Sequence, residues 1–196
     1  MQKELDQFLK FINNFVPLSD TDVAHMIPEI QLVELEKKEI LLNTNQKCRG
    51  IYYLIEGLIR IYSIKGGNEV NNEFLSENEF FTDYESLMTN STCMCTTESI
   101  EKTRLLFLPY DKLIESYDKS HMLERLGRLM VERAFSSYIA KNNAAHNLKT
   151  DEKYNDFESQ FPALVNRIPI KHLATYFGIA PESLSRIRKS RVKSIS

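Results

Sequence analysis

The sequence predicts an α+β protein: an N-terminal β-roll (a double-stranded β-helix, jelly-roll-like), a long helix, and a C-terminal α-helical module of helix-turn-helix type. Three observations predict it. Between Ile30 and Pro109 the chain breaks into short β-rich runs separated by Gly57, Gly66-Gly67-Asn68 and Asn78, turn residues at the intervals of an antiparallel roll or barrel. From about Ser120 to Asn147 the apolar period is helical, with no proline and a single glycine, Gly127. From Ile168 onward, apolar, turn and basic residues fall at the spacing of two short helices crossing at a tight turn. The domain boundaries are accordingly 1–118 for the roll, 119–148 for the long helix and 149–196 for the C-terminal module.

In chain order, Phe8, Phe11, Ile12 and Phe15 recur at helical spacing and Pro17 closes that helix, so residues 1–27 read as short helices capping the roll. The strands expected next are Ile30 to Val33, Ile40 to Leu42, Ile51 to Ile55, Leu58 to Ile64, Glu69 to Leu75, Thr96 to Ile100 and Thr103 to Leu108, with no sustained helix among them. Helices return at Tyr110 to Tyr117 and again after Ser120. The second of these carries more apolar residues than one stripe holds: Leu123, Leu126, Met130, Ala134, Ser137 and Tyr138 lie on one face, and Met122, Leu129, Val131, Phe135 and Ile139 spread onto another. A helix sticky on two sides packs on its own domain with one and on a partner helix with the other, so a homodimer is expected, with Leu123, Leu126, Met130 and Ala134 as its seam. Lys149 to Ser159 reads as a polar connector in which Thr150 opens another helix, Asp151 and Glu152 lying in its first turn.

Composition excludes several classes. No apolar run approaches the ~18 residues of a membrane span. The opening Met1-Gln2-Lys3-Glu4-Leu5-Asp6 lacks the basic-then-apolar order of a secretory signal, so the expected location is the cytoplasm. Cys48, Cys93 and Cys95 are too few for a disulfide scaffold and wrongly spaced for a zinc knuckle, and read as small buried hydrophobes. His25, His121, His146 and His172 are scattered, and Ile30 to Pro109 contains no histidine, so neither a metal, a cofactor nor cupin-like enzyme chemistry is expected.

Charge is informative in its distribution. The chain totals −2, yet Leu164 to Ser196 carries seven basic residues against one acid, Glu182, leaving the remainder at −8. A basic end on an acidic body attracts a polyanion to that end and repels it elsewhere. Within that end, Leu173, Phe177, Leu184 and Ile187 supply a small core, Ala174 allows two helices to cross closely, Gly178 permits the positive φ that stops the first helix, and Pro181 suits the first turn of the second. Glu182, Ser185, Arg186 and Lys189 then share one face able to enter a major groove. Arg186 has the fork for a guanine edge, Glu182 accepts from cytosine, and Ser185 completes the base-reading set. Lys171, Arg188, Lys189 and Arg191 suit phosphates.

With these residues in view, the chain resembles the Crp/Fnr family of bacterial regulators over roughly residues 8–192. The stretch Ile51-Tyr52-Tyr53-Leu54-Ile55-Glu56-Gly57-Leu58-Ile59-Arg60-Ile61-Tyr62 is similar to the family's strand-Gly-strand motif. Asn78-Glu79-Phe80-Phe81-Thr82-Asp83-Tyr84-Glu85-Ser86-Leu87 is similar to the start of its phosphate-binding cassette, and Ala180 to Lys189 to its recognition helix. The resemblance implies double-stranded DNA as partner, a homodimer, RNA polymerase as a further contact, and a pocket for an effector whose identity the sequence does not give.

Departures matter as much. Cyclic-AMP-binding members carry a Gly-Glu pair and, further on, an Arg-Ser or Arg-Thr pair; here the first slot holds Thr82-Asp83, followed by Tyr84, and the second falls near Met94. No Lys or Arg occurs between Lys65 and Lys102, while eight acids do: Glu69, Glu73, Glu77, Glu79, Asp83, Glu85, Glu98 and Glu101. Losing the Arg partner of a phosphate alone removes roughly 1.5–3 kcal/mol. The expectation is a transcription regulator with a degenerate effector pocket that does not bind cyclic AMP; the alternative is a regulator that senses a cyclic nucleotide or other small ligand.

Overall fold

A computed structural model describes residues 1–147 and 149–195, and the side chains among them outside 144–147 and 190–195. Two helices, α1 (Gln2–Ile12) and α2 (Asp20–Met26), lead into the roll. A capping box starts α2: the Ser19 hydroxyl accepts from the Asp22 amide and the Asp22 carboxylate from the Ser19 amide.

Eight strands make up the roll: β1 (Gln31–Leu35), β2 (Ile40–Leu42), β3 (Gly50–Glu56), β4 (Ile59–Lys65), β5 (Asn68–Leu75), β6 (Phe80–Phe81), β7 (Thr96–Ser99) and β8 (Thr103–Pro109). They form two antiparallel four-stranded sheets, ordered β1-β8-β3-β6 and β2-β7-β4-β5, so every sequential pair of strands except the β4–β5 hairpin crosses between the sheets, as in a jelly roll. The seven strands expected from turn spacing are present within a residue or two. The pair Phe80–Phe81 and the short helix α3 (Tyr84–Thr89) were not separable from sequence.

Strand alternation distributes the core. Tyr52 and Leu54 of β3 point between the sheets, with Leu35, Leu42, Ile59, Leu75 and Leu105. Tyr53 and Ile55 point the other way, onto Phe8 and Ile12 of α1 and onto Leu123 and Leu126 of the long helix. Being apolar on both faces, β3 must be covered twice. Next come α4 (Tyr110–Lys119) and α5 (His121–Asn147), the long helix. Its first turns are fixed to the N-terminal layer by these contacts and by the Ser120 hydroxyl, which donates to Asp22.

The C-terminal module comprises α6 (Thr150–Gln160), α7 (Pro162–Arg167), α8 (Ile170–Phe177) and α9 (Pro181–Ile195). Residues 149–159, read as a connector opening a helix, are nearly all helical. The module's core is Tyr154, Leu164, Val165, Ile168, Leu173, Ala174 and Leu184, and it continues without a break onto Leu58, Phe74 and Ile100 of the roll's outer face. No helix of the described residues is long and apolar enough to cross a membrane.

Candidate nucleic-acid interface and effector cavity

The two-helix motif is built as its residues dictate. Gly178 ends α8 at φ +68°, a left-handed conformation glycine adopts without a Cβ penalty, and the Ile179 amide reaches back to the Ala174 carbonyl at 3.0 Å. Leu173, Ala174 and Leu184 are fully buried where α8 and α9 cross. That packing turns Glu182, Arg186 and Lys189 to solvent along one face of α9, with Ser185 half-buried beside them and Lys171 exposed in the first turn of α8. Arg188 differs. Its Nε donates to the Tyr154 hydroxyl at 2.9 Å and its Nη2 to the Val165 carbonyl at 3.0 Å, so it braces α9 against α6 and α7 and is not free for a phosphate. Arg191, the remaining phosphate candidate, lies outside the described side chains.

The module is docked on the roll through α8 and β5. Arg60 of β4, almost wholly buried, forks onto Glu98 (2.9 and 3.2 Å), donates to Glu69 at 2.6 Å and stacks 4.0 Å from the Tyr62 ring centroid. Its Nη1 also lies 3.2 Å from Nδ1 of His172 on α8. Burial, reinforced by Arg60, lowers the His172 pKa to about 4, so at neutral pH the ring is uncharged and a ring nitrogen can accept from Arg60. Asn71 donates to the Thr175 hydroxyl at 2.7 Å and to the His172 carbonyl at 3.3 Å, and the Phe74 and Tyr176 rings meet at 5.4 Å.

A second anchor is Arg167, in the last turn of α7. It donates to Glu77 at 2.7 and 2.9 Å, to Glu101 at 2.5 Å and to the Gly57 carbonyl at 2.8 Å. Gly57 holds φ +111°, and a Cβ there would fall 2.4 Å from the Thr103 hydroxyl, so only glycine fits this turn. Lys141 of α5 pairs with Glu73.

Thr82, Asp83, Tyr84 and Met94 come together as the sequence suggests. With Ile61, Phe81, Glu85, Cys95 and Thr97 they line a cavity of about 230 Å³. Two of its polar groups are committed locally: the Thr82 hydroxyl donates to the Gly50 carbonyl at 2.9 Å, and the Asp83 carboxylate caps α3 by accepting from the Ser86 amide at 3.0 Å. None of the lining residues is basic. Of the eight acids between Lys65 and Lys102, only Asp83 and Glu85 line this cavity, whereas Glu69, Glu73, Glu77, Glu98 and Glu101 pair with Arg60, Lys141 and Arg167. All three cysteines are free thiols, and burial pushes Cys93 and Cys95 upward in pKa. No group of three His, Cys, Asp or Glu among the described residues could hold a metal ion.

The long helix corrects the expected seam. Leu123 and Leu126 are 1% and 6% exposed within the chain's own N-terminal core, and Met130 is half-buried against it, so that face is taken. Ala134 is exposed. The apolar residues left in solvent are Val131, Phe135, Tyr138 and Ile139, at 58%, 62%, 65% and 44% exposure. Every described side chain from Val131 to Asn143 is exposed.

Comparison with known proteins matches residues 32–120 to the cyclic nucleotide-binding domain family. Among solved structures, FixK2 from Bradyrhizobium japonicum superposes with a TM-score of 0.72 at 13% identity, over 84% of this chain and 85% of that one. A CooA mutant from Carboxydothermus hydrogenoformans gives 0.68 at 13% identity, over 95% and 84%. A putative transcriptional regulator of the Crp/Fnr family from Eubacterium rectale gives 0.66 at 17% identity, over 90% and 85%. No curated protein matches the sequence.

Proposed function

From a chain that has the Crp/Fnr regulator fold, with a cyclic nucleotide-binding domain at residues 32–120, we propose a homodimeric, cytoplasmic, non-enzymatic transcription regulator that reads double-stranded DNA with α9 and contacts RNA polymerase. The observation that carries the reading is the exposed Glu182, Arg186 and Lys189 face on the second helix of a module with a net charge of +6 from Leu164 onward. The dimer is proposed to form along Val131, Phe135, Tyr138 and Ile139. Two reading helices held about 34 Å apart then enter successive major grooves, and the operator is an inverted repeat.

Selection of bound duplexes from a random pool tests this and returns half-site spacing. On the selected site, Arg186→Ala is expected to cost roughly 1–3 kcal/mol and to relax base preference at one position in each half-site. Lys171→Ala is expected to weaken all duplexes alike and to flatten the salt dependence by about one unit per lost contact. Equal losses of selected and random DNA with Arg186→Ala would move that residue to the phosphate class.

The cavity is proposed to be a degenerate effector site. A cyclic phosphate placed there would meet Asp83 and Glu85 with no cationic donor among the lining residues. Millimolar cyclic AMP or cyclic GMP is therefore expected to leave the melting temperature unchanged, since a ligand without affinity for the native state adds no stability. A rise of several degrees in a thermal scan would establish the alternative, a nucleotide sensor.

A further inference from the structure

Four carboxylates of the roll face the C-terminal module, directly or through Arg60, and a fifth, Glu73, pairs with the long helix close enough to Tyr176 of α8 to act on it; the cations they hold come largely from outside the roll. Glu77 and Glu101 take Arg167 of α7, Glu73 takes Lys141 of α5, and Glu69 and Glu98 hold Arg60 against His172 of α8. The module that meets this strip, residues 149–196, carries a net charge of +4, with its basic residues concentrated from Leu164 onward, and the body presenting the strip is at −6. We propose that the strip is an intramolecular docking surface that competes with DNA for the basic module, so that the docked arrangement is a state of lowered DNA affinity. The inference rests on the DNA-reading assignment of α9.

Three features set the direction of the effect. First, Lys171 is close enough to Glu69 for its charge to act on that carboxylate. Phosphates drawn to the start of α8 therefore meet a negative field from β5, and moving the module off the strip removes it. Second, the Arg167 contacts are only partly shielded, with Arg167, Glu77 and Glu101 side chains 29%, 33% and 37% exposed. Ion pairs of that kind exchange with salt and water. Third, the apolar part of the seam is small: Leu58, Phe74 and Ile100 on the roll side. An inter-domain contact that mixes charged groups with a modest apolar area is the kind that opens and closes. The polyanion and the strip thus bid for the same positive end, and only one of them carries sequence information.

The test uses the full chain and changes only the roll, so that no candidate DNA-contacting residue is touched. Glu77→Gln with Glu101→Gln removes both charges opposite Arg167, and Glu73→Gln alone is a milder second variant. Two quantities are read: the radius of gyration by small-angle X-ray scattering, and affinity for the selected duplex by fluorescence anisotropy. The double variant is expected to keep the wild-type circular dichroism, to expand, and to bind DNA roughly three- to tenfold tighter; Glu73→Gln is expected to move both in the same direction by less. In 0.5 M salt the unmodified protein is expected to expand toward the double variant. If the double variant misfolds, the Glu73→Gln and salt arms decide. Unchanged dimensions in the variants and in salt overturn the latch. Expansion without tighter DNA binding overturns its inhibitory role. If no duplex is bound by the parent chain or either variant, the DNA-reading assignment and the competition with DNA fail together, and scattering still decides whether the strip holds the module.

Discussion

Leu126→Glu is expected to abolish the native fold at ordinary temperatures, whereas Phe135→Glu, nine residues further along the same helix, is expected to give a folded monomer. Leu126 is 6% exposed and belongs to the buried apolar cluster of Leu5, Phe8, Ile12, Tyr53 and Leu123. Losing the leucine contacts and burying an unpaired charge together cost about 3–5 kcal/mol, a large part of the ~5–15 kcal/mol that holds a typical domain. Phe135 is 62% exposed, so glutamate there is solvated in the monomer and costs the isolated chain little. In a dimer along Val131, Phe135 and Tyr138, two facing carboxylates would meet in the apolar seam. Thermal melts followed by circular dichroism and light scattering separate the two. A Phe135→Glu protein that still scatters as a dimer rules this face out as the seam.

The second large effect is expected at Arg60. Arg60→Met should lower the unfolding free energy by about 3–5 kcal/mol, because the Glu98 side chain, 13% exposed, would keep its charge in a nearly dry site while Asn71 and His172 lost a donor. The cost belongs to the stranded carboxylate more than to the lost attraction. Arg60→Met combined with Glu98→Leu should therefore recover most of it, since exchanging both partners for apolar groups removes the desolvated charge as well. Urea titration of the parent and both variants measures this directly. A loss below ~1 kcal/mol for Arg60→Met would mean that the cluster is wetter than its geometry indicates.

Much of this architecture was legible in the sequence because local chemistry writes it. Gly57, Asn78 and Gly178 take the left-handed conformations their turns need, and the spacing of Leu173, Ala174, Gly178 and Leu184 specified the two-helix motif down to its exposed face. The features that stayed hidden depend on partners far away along the chain. A helix with two apolar faces does not say which one finds its own domain, and the choice was made by Leu5, Phe8 and Ile12, more than a hundred residues upstream of Leu126. Arg188 reads as a surface cation until Tyr154 and the Val165 carbonyl fold up against it. The eight acids between Lys65 and Lys102 argue against a phosphate ligand when counted in sequence, but strand alternation and the dock turn five of them toward Arg60, Lys141 and Arg167, so the proposal of a degenerate cavity rests on the missing cation and on Asp83 and Glu85 alone.

Strands β4 and β7 carry two surfaces at once. Ile61 and Thr97 pair across them and line the cavity, while their neighbours Arg60 and Glu98 pair across the same strands and face His172. Because side chains alternate with a period of two, this assignment is one of parity. Inserting or deleting a single residue in either strand would exchange the faces downstream of it, sending a charged residue into the roll and an apolar one into the dock. Point substitution can tune the cavity and the dock separately, whereas a length change of one residue in β4 or β7 must disturb both. Descendants of this chain can therefore diversify these strands by replacement and keep their loops free to grow, but the strands themselves are held to length by having an occupant on each side.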